Sequence, residues 1–225
     1  VARAGHHGLL VASTGAGKTL AGFLPTLTEL IENPTKGLHT LYVSPLKALA
    51  VDVQRNLLTP IAEMGLDIRV ETRTGDTPSD RKARQRIKPP QILLTTPESL
   101  SLLLSYPDSG LIFENLKTIV VDEVHAFATG KRGDLLSLCM ARLQRLAPDL
   151  RRVALSATVA DADGYRAWLA PDGDIDTVDL VQGEPGVPAN IAILLPQGRV
   201  PWSGHSGRYA AEQVMAEIET HKTSI

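Results

Sequence analysis

Leu9-Leu10-Val11-Ala12-Ser13-Thr14-Gly15-Ala16-Gly17-Lys18-Thr19 runs without a break into the helical pattern Leu20 to Ile31, and this stretch decides the fold. Four apolar residues, Leu9 to Ala12, read as a buried strand, and the small residues after them read as a tight turn into a helix. In that context small side chains let successive backbone N–H groups curl around phosphate oxygens, and the helix N-terminus adds favourable dipole charge. Lys18 has the reach for β- and γ-phosphates, and Thr19 offers a hydroxyl to Mg²⁺. Thr14, Gly15, Ala16, Gly17, Lys18 and Thr19 are therefore the candidate nucleotide-binding residues. The strict pattern has Gly where Ala12 stands, and taken alone the stretch also reads as an ordinary Gly-rich strand-to-helix turn.

Working outward, short apolar runs alternate with longer helical patterns. Thr40–Val43 precedes a helix over Leu46–Met64, and Ile68–Val70 precedes one over Ser79–Arg86. Ile92–Thr95 precedes Pro97–Leu104, Thr118–Val121 precedes Leu135–Leu146, and Val153–Leu155 precedes Asp163–Leu169, with a last strand over Ile175–Val181. Several of these strands are apolar at consecutive positions, as strands covered on both faces are, which predicts an α/β fold with a mostly parallel sheet sandwiched by helices. After Val181, Gly183, Pro185, Gly186 and Pro188 crowd together, and 196–207 is again rich in Gly and Pro. A boundary is expected there, dividing the chain into residues 1–182 and 183–225. Beyond it only a strand at Ile191–Leu195, an amphipathic helix at Tyr209–His221 and a run at Thr223–Ile225 are expected. That last run reads as a strand cut off in its first residues, so the chain reads as a fragment.

Two further elements fall at the ends of expected buried strands. Asp122-Glu123-Val124-His125 follows Thr118–Val121, at the C-terminal sheet edge where open α/β folds bind ligands. There Asp122 can hold Mg²⁺, partly through water, and Glu123 can orient and deprotonate the water that attacks a γ-phosphate. Alone, the pair reads equally well as an acidic first turn of a helix. Ser156-Ala157-Thr158 follows the next strand, where its hydroxyls can bond the carboxylates or His125; alone, these are ordinary helix N-caps.

Composition is less specific. The 225 residues carry 23 basic and 25 acidic side chains, for a formal charge of −2, so any contact with nucleic acid must be local. One cysteine closes no intrachain disulfide, and zinc-type Cys/His spacing is absent from the sequence, which favours a cytoplasmic setting. No apolar run reaches the length of a membrane span. His6-His7 lacks a third metal ligand, Cys139 falls on an apolar helix face, and Lys82, Arg84, Arg86 and Lys88 read as a solvated helix face.

Taken in order, the three elements resemble the motor core of superfamily 2 DExH helicases, in which Ala at position 12 is ordinary and Pro is more usual than Ser13. Ser44-Pro45-Leu46-Lys47-Ala48-Leu49-Ala50, Thr74-Gly75-Asp76-Thr77 and Thr95-Thr96-Pro97-Glu98-Ser99 are similar to that family's DNA-contacting motifs. Leu38–Val53, Arg73–Pro78, Lys131–Leu135 and Pro201–Gly207 narrow the resemblance to the large helicase-related (Lhr) branch, and within it to bacterial ligase-associated DEXH-box helicases.

The resemblance implies a RecA-like P-loop lobe at 1–182 and the truncated start of a second RecA-like lobe at 183–225. It implies ATP and Mg²⁺ as cofactors and ATP hydrolysis by the full-length protein, with Lys18, Asp122 and Glu123 catalytic and Thr19 and Asp122 at the metal. His125, Ser156 and Thr158 would couple the sites, and Pro45, Lys47, Thr74, Gly75, Thr95, Thr96, Pro97 and Glu98 would face nucleic acid. Single-stranded DNA is the implied partner, with RNA the alternative, and association with a DNA ligase and repair nuclease follows from resemblance alone. The family's adenine-reading segment and arginine fingers are expected to lie outside these residues, leaving the fragment nearly inactive by itself. A duplex translocase, a nucleotide-dependent switch without motor action, and a metabolic P-loop kinase stay open as rival readings.

Overall fold

The computed structural model describes residues 6–13, 15–127, 130–184, 193 and 210–220. Seven strands, β1 (His7–Val11), β2 (Thr40–Val43), β3 (Val70–Arg73), β4 (Ile92–Thr95), β5 (Thr118–Val121), β6 (Arg151–Ser156) and β7 (Val178–Gln182), form one sheet in the order β3-β4-β2-β5-β6-β1-β7. Every pairing is parallel, so each connection must cross over a face of the sheet, and helices do this. They are α1 (Lys18–Glu32), α2 (Lys47–Glu63), α3 (Ser79–Ile87), α4 (Pro97–Ser105), α5 (Ser109–Phe113), α6 (Lys131–Leu146) and α7 (Ala162–Leu169). The sandwich expected from consecutive apolar residues is present.

Alternation along the strands divides the core in two. Leu41, Val43, Leu93, Ile119 and Val121 point to one face, where they pack with Leu100, Phe113 and Leu136 from α4, α5 and α6. Tyr42, Ile92, Leu94, Val120 and Leu155 point to the other, against Phe23 and Leu27 of α1 and Val53 and Leu57 of α2. Gly22 brings α1 close to β6: a Cβ there would stand 3.2 Å from a Leu155 methyl.

Several expected boundaries shift. The third strand runs Val70–Arg73 instead of Ile68–Val70, because its register pairs Val70 with Ile92 and Arg73 with Thr95, while the Arg69 N–H is taken by the Gln91 side chain at 3.1 Å. Ile175–Thr177 is a 3-10 turn, not strand: the Asp174 carboxylate accepts from the Asp176 N–H and coils the chain before β7. The short helix α5 was not expected from the sequence, since five residues are too few to show a period. By contrast, Cys139 is buried in the core as expected.

The backbone separates into two units, residues 1–186 and 187–225. In the second the described helix is α8 (Ala211–Thr220); the expected strands at Ile191–Leu195 and Thr223–Ile225 lie outside the described residues, apart from Ile193. No helix among the described residues is long and apolar enough to cross a membrane.

One buried and one half-buried histidine at the N-terminal edge of the sheet make stability depend on pH. His39 is buried beside β2, with Nδ1 2.9 Å from the Thr40 hydroxyl. Burial pushes its pKa below the usual 6.5, with Arg151 and Lys117 acting in the same sense and Glu29 opposing. His7 is also lowered, chiefly by burial and Arg152, and its Nδ1 accepts the Arg152 N–H at 3.0 Å, a bond only the unprotonated nitrogen can make. Because the folded pKa lies below the unfolded one, the unfolded chain binds protons more readily between the two. Stability is therefore intact above about pH 6.5 and lost as pH falls through that window. The melting temperature is expected to fall between about pH 7.5 and about pH 5.5, and to fall less in His39→Gln. An equal fall in parent and variant would remove His39 from the account.

Candidate nucleotide site and adjoining loops

The loop from β1 to α1 takes its shape from two glycines. Gly15 and Gly17 have φ of 82° and 76°, a region that side chains with a Cβ avoid, and Gly17 is the N-cap of α1. The helix thus begins at Lys18, two residues before its apolar pattern, which puts Lys18 and Thr19 in its first turn. The Lys18 ammonium donates to the carbonyls of Ala12 at 2.7 Å and Ser13 at 3.0 Å, bracing the loop across its mouth. The Ala12 N–H bonds the Ser156 carbonyl at 3.1 Å and ties the loop to the end of β6. Thr14 lies outside the described residues.

Asp122 and Glu123 follow β5 on the same sheet edge, and a cleft of about 340 Å³ is lined by Gly15, Lys18, Thr19, Asp122 and Glu123, with Asn56 contributed by α2. A more apolar cavity of about 200 Å³ lies under α1, lined by Gly8, Leu10, Gly22 and Val153 among others. It has few convergent polar groups, so the chemistry belongs to the loop cleft. Asp122 is buried and doubly held: Oδ1 accepts the Glu123 N–H at 2.9 Å, and Oδ2 accepts the Tyr42 hydroxyl. Burial and the neighbouring Asp122 charge raise the Tyr42 pKa far above its usual value, so the phenol stays a donor.

Glu123 has φ of 47°, positive for a non-glycine residue, a conformation that costs of order 1–3 kcal/mol and is concentrated at functional sites. Its Oε2 is buried without a hydrogen-bond partner among the described residues. His125 Nδ1 is 3.4 Å from that oxygen, but its hydrogen bond goes to the Ser156 hydroxyl at 2.9 Å. Since the Ser156 hydroxyl spends its one hydrogen on the Thr158 carbonyl at 2.7 Å, Nδ1 must be the donor, which fixes the protonated ring nitrogen. His125, Ser156 and Thr158 thus form one chain of hydrogen bonds beside the carboxylates, with Thr158 participating through its carbonyl.

The donor set suits Mg²⁺. Thr19 offers a hydroxyl and Asp122 a carboxylate, both hard oxygen ligands lining one cleft beside the phosphate-type loop.

Next to the cleft, the ends of β2, β4 and β3 bring the remaining candidates together. Pro45 and Lys47 follow β2, Thr74 and Gly75 follow β3, and Thr95 to Glu98 span the end of β4 and the start of α4. Lys47 is paired with Asp76 at 2.9 Å, and Glu98 with Arg132 at 2.6 Å. Burial would raise the Glu98 carboxyl, but hydrogen bonds from Arg132, its own backbone N–H and Thr96 outweigh it and hold the pKa below the usual value. The Thr95 hydroxyl is fully buried and donates to the Arg73 carbonyl at 2.7 Å, joining β4 to β3. Arg73 is no surface cation either: it is buried, with its guanidinium on the Lys82 carbonyl and Gln85. The α3 cations are similarly engaged, Arg84 with Glu71 and Arg86 with Asp108. Two residues that sequence reasoning missed are Tyr42, whose phenol hydroxyl inside a buried strand was the available signal, and Arg132, whose partners lie far off in the chain.

Fold and site together define a RecA-like nucleotide-binding lobe: a parallel sheet with a phosphate-type loop and paired carboxylates at one edge. The DEAD/DEAH box helicase family pattern matches residues 1–164, and the chain belongs to that family. Among curated relatives, it is 45% identical over 170 residues to "ATP-dependent helicase Lhr-Core protein 2" of Thermococcus barophilus, covering 69% of this chain and 20% of that protein. It is 40% identical over 199 residues to "Lhr helicase/uracil glycosylase" of Escherichia coli, covering 80% of this chain and 13% of that protein. Among solved structures, the Mycobacterium smegmatis helicase Lhr bound to ssDNA and AMP-PNP superposes with a TM-score of 0.80 at 34% identity, over 98% of this chain and 30% of that one. These findings bear out the resemblance to the large helicase-related branch. The chain spans only a fifth or less of the two curated relatives just named.

Proposed function

We propose that this chain is the ATP-binding lobe of an ATP-dependent DNA helicase that acts on single-stranded DNA, with residues 183–225 forming the linker and start of a second RecA-like lobe. The observation that carries the reading is the chain of contacts at one sheet edge. The loop, the carboxylates and the His125–Ser156 bond adjoin the Pro45, Thr74 and Thr95–Glu98 segments, so nucleotide state and strand contact share strand ends. It is supported by the M. smegmatis relative, whose structure holds ssDNA and AMP-PNP.

In this reading Lys18 and the loop N–H groups bind the phosphates. Glu123, with one buried oxygen that has no hydrogen-bond partner among the described residues, orients the attacking water and takes its proton. Thr19 and Asp122 would hold Mg²⁺, which would neutralise phosphate charge when bound. His125 and Ser156 carry the state of the site toward the loop through the Ser156 carbonyl. Association with a DNA ligase and a role in repair belong to the same proposal, as does a cytoplasmic location.

The experiment is ATP turnover by the full-length protein with single-stranded DNA, duplex DNA or RNA present. Stimulation by single-stranded DNA is expected. Stimulation by duplex alone would favour a translocase, preference for RNA would overturn the DNA assignment, and no stimulation would favour a switch. Because Lys47 and Arg132 are already paired with Asp76 and Glu98, few unpaired cations face the strand. The log-affinity for single-stranded DNA against log-salt is therefore expected to have a slope no steeper than about −4 for this lobe. A steeper slope would require a basic surface elsewhere.

A further inference from the structure

The first turn of α6 does more than start a helix. Arg132 Nε donates to Glu98 Oε1 at 2.6 Å, and one terminal nitrogen reaches both Glu98 Oε2 at 3.3 Å and the Pro45 carbonyl at 2.9 Å. One guanidinium therefore holds the loop after β2 against the start of α4, and its Cζ lies over the Phe127 ring, 5.8 Å from the ring centre. Phe127 closes the 3-10 turn Val124–Phe127 that follows the two carboxylates, and the Ala126 N–H bonds the Glu123 carbonyl at 2.8 Å within that turn. The neighbouring Gly133 is packed so tightly that a Cβ would stand 2.0 Å from the Phe127 carbonyl oxygen. The first turn of α6 is thus packed directly on the Phe127 backbone.

We propose that Arg132 is a positioning residue that holds the two strand-facing loops at Pro45 and Glu98 in one arrangement and, through Phe127 and its turn, ties that arrangement to Glu123. The proposal rests on the helicase reading above. A planar fork is needed for it: a lysine keeps the charge but cannot bond Glu98 through two nitrogens while also reaching Pro45. A direct phosphate contact would be the contrary case, because a lysine serves there and its loss lowers the salt slope by about one. Contiguous packing is not by itself proof of coupling, so the test must separate coupling from affinity.

In the full-length protein, Arg132→Lys and Arg132→Ala are compared with the parent for ATP turnover without nucleic acid, turnover at saturating single-stranded DNA, and half-saturating DNA concentration. Turnover without DNA should stay within about twofold. The DNA-stimulated kcat should drop by about tenfold or more in both variants, with half-saturation changing less than about threefold and the salt slope unchanged. Melting temperatures check folding, and Arg132→Lys, which keeps the stem and charge, serves if Arg132→Ala is unstable. Rescue of stimulation by lysine, or a shallower slope in Arg132→Ala, would overturn the proposal in favour of a phosphate contact. Equal loss of basal and stimulated turnover would overturn it in favour of general support. A parent that DNA does not stimulate would instead fail the helicase reading, a result visible before any variant is made.

Discussion

Glu123→Gln is expected to keep Mg-ATP affinity within about threefold while lowering DNA-stimulated turnover of the full-length protein by roughly 10²–10⁴-fold, the usual contribution of a positioned base. The amide has nearly the shape of the carboxylate, so the strained backbone at φ 47° and the Glu123 N–H bond to Asp122 Oδ1 are kept. What is lost is proton affinity at an oxygen that is buried and without a hydrogen-bond partner among the described residues. The nearer ring nitrogen of His125, Nδ1, gives its hydrogen to Ser156 and so is no proton acceptor toward the attacking water. Nucleotide binding by calorimetry and turnover on the same preparation separate the two effects. Equal turnover in variant and parent would mean that Glu123 is not the base.

Lys18→Ala is expected to weaken Mg-ATP binding by about 100-fold or more, since charge-assisted hydrogen bonds of about 1.5–3 kcal/mol each are removed from the phosphates. The fold should survive. Lys18 stands in the first turn of α1, where its ammonium meets two loop carbonyls at the cleft. Alanine is a good helix former, so α1 loses nothing in propensity. Unchanged affinity by calorimetry would remove the phosphate role from the loop. A large drop in melting temperature would show instead that the lysine's main task is to brace Ala12 and Ser13.

Local signals were legible wherever a strand or helix was long and patterned. Thr40–Val43, Ile92–Thr95 and Thr118–Val121 stand as strands at the expected residues, because buried parallel strands are apolar at consecutive positions and bounded by turn residues. The loop over Ala12–Thr19 was legible for a related reason: small residues between a strand and a helix carry their geometry in their own backbones. Polar edges were not legible. Lys131-Arg132-Gly133-Asp134 opens α6 without an apolar residue, and Glu71-Thr72-Arg73 extends β3 through pairing alone, so neither shows a period.

The sequence by itself therefore determined the α/β class, the phosphate-type loop and the order in which the chemical groups follow the strands. Only the tertiary structure decided which of those groups meet. β2 lies beside β5 in the sheet, which sets the Tyr42 hydroxyl on Asp122 across 80 residues of chain. α6 crosses back so that Arg132 reaches Pro45 across 87, and β6 beside β5 gives His125 its bond to Ser156. Strand order is set by which crossovers bury the most apolar surface on both faces at once, a property of the whole chain that no window of sequence contains.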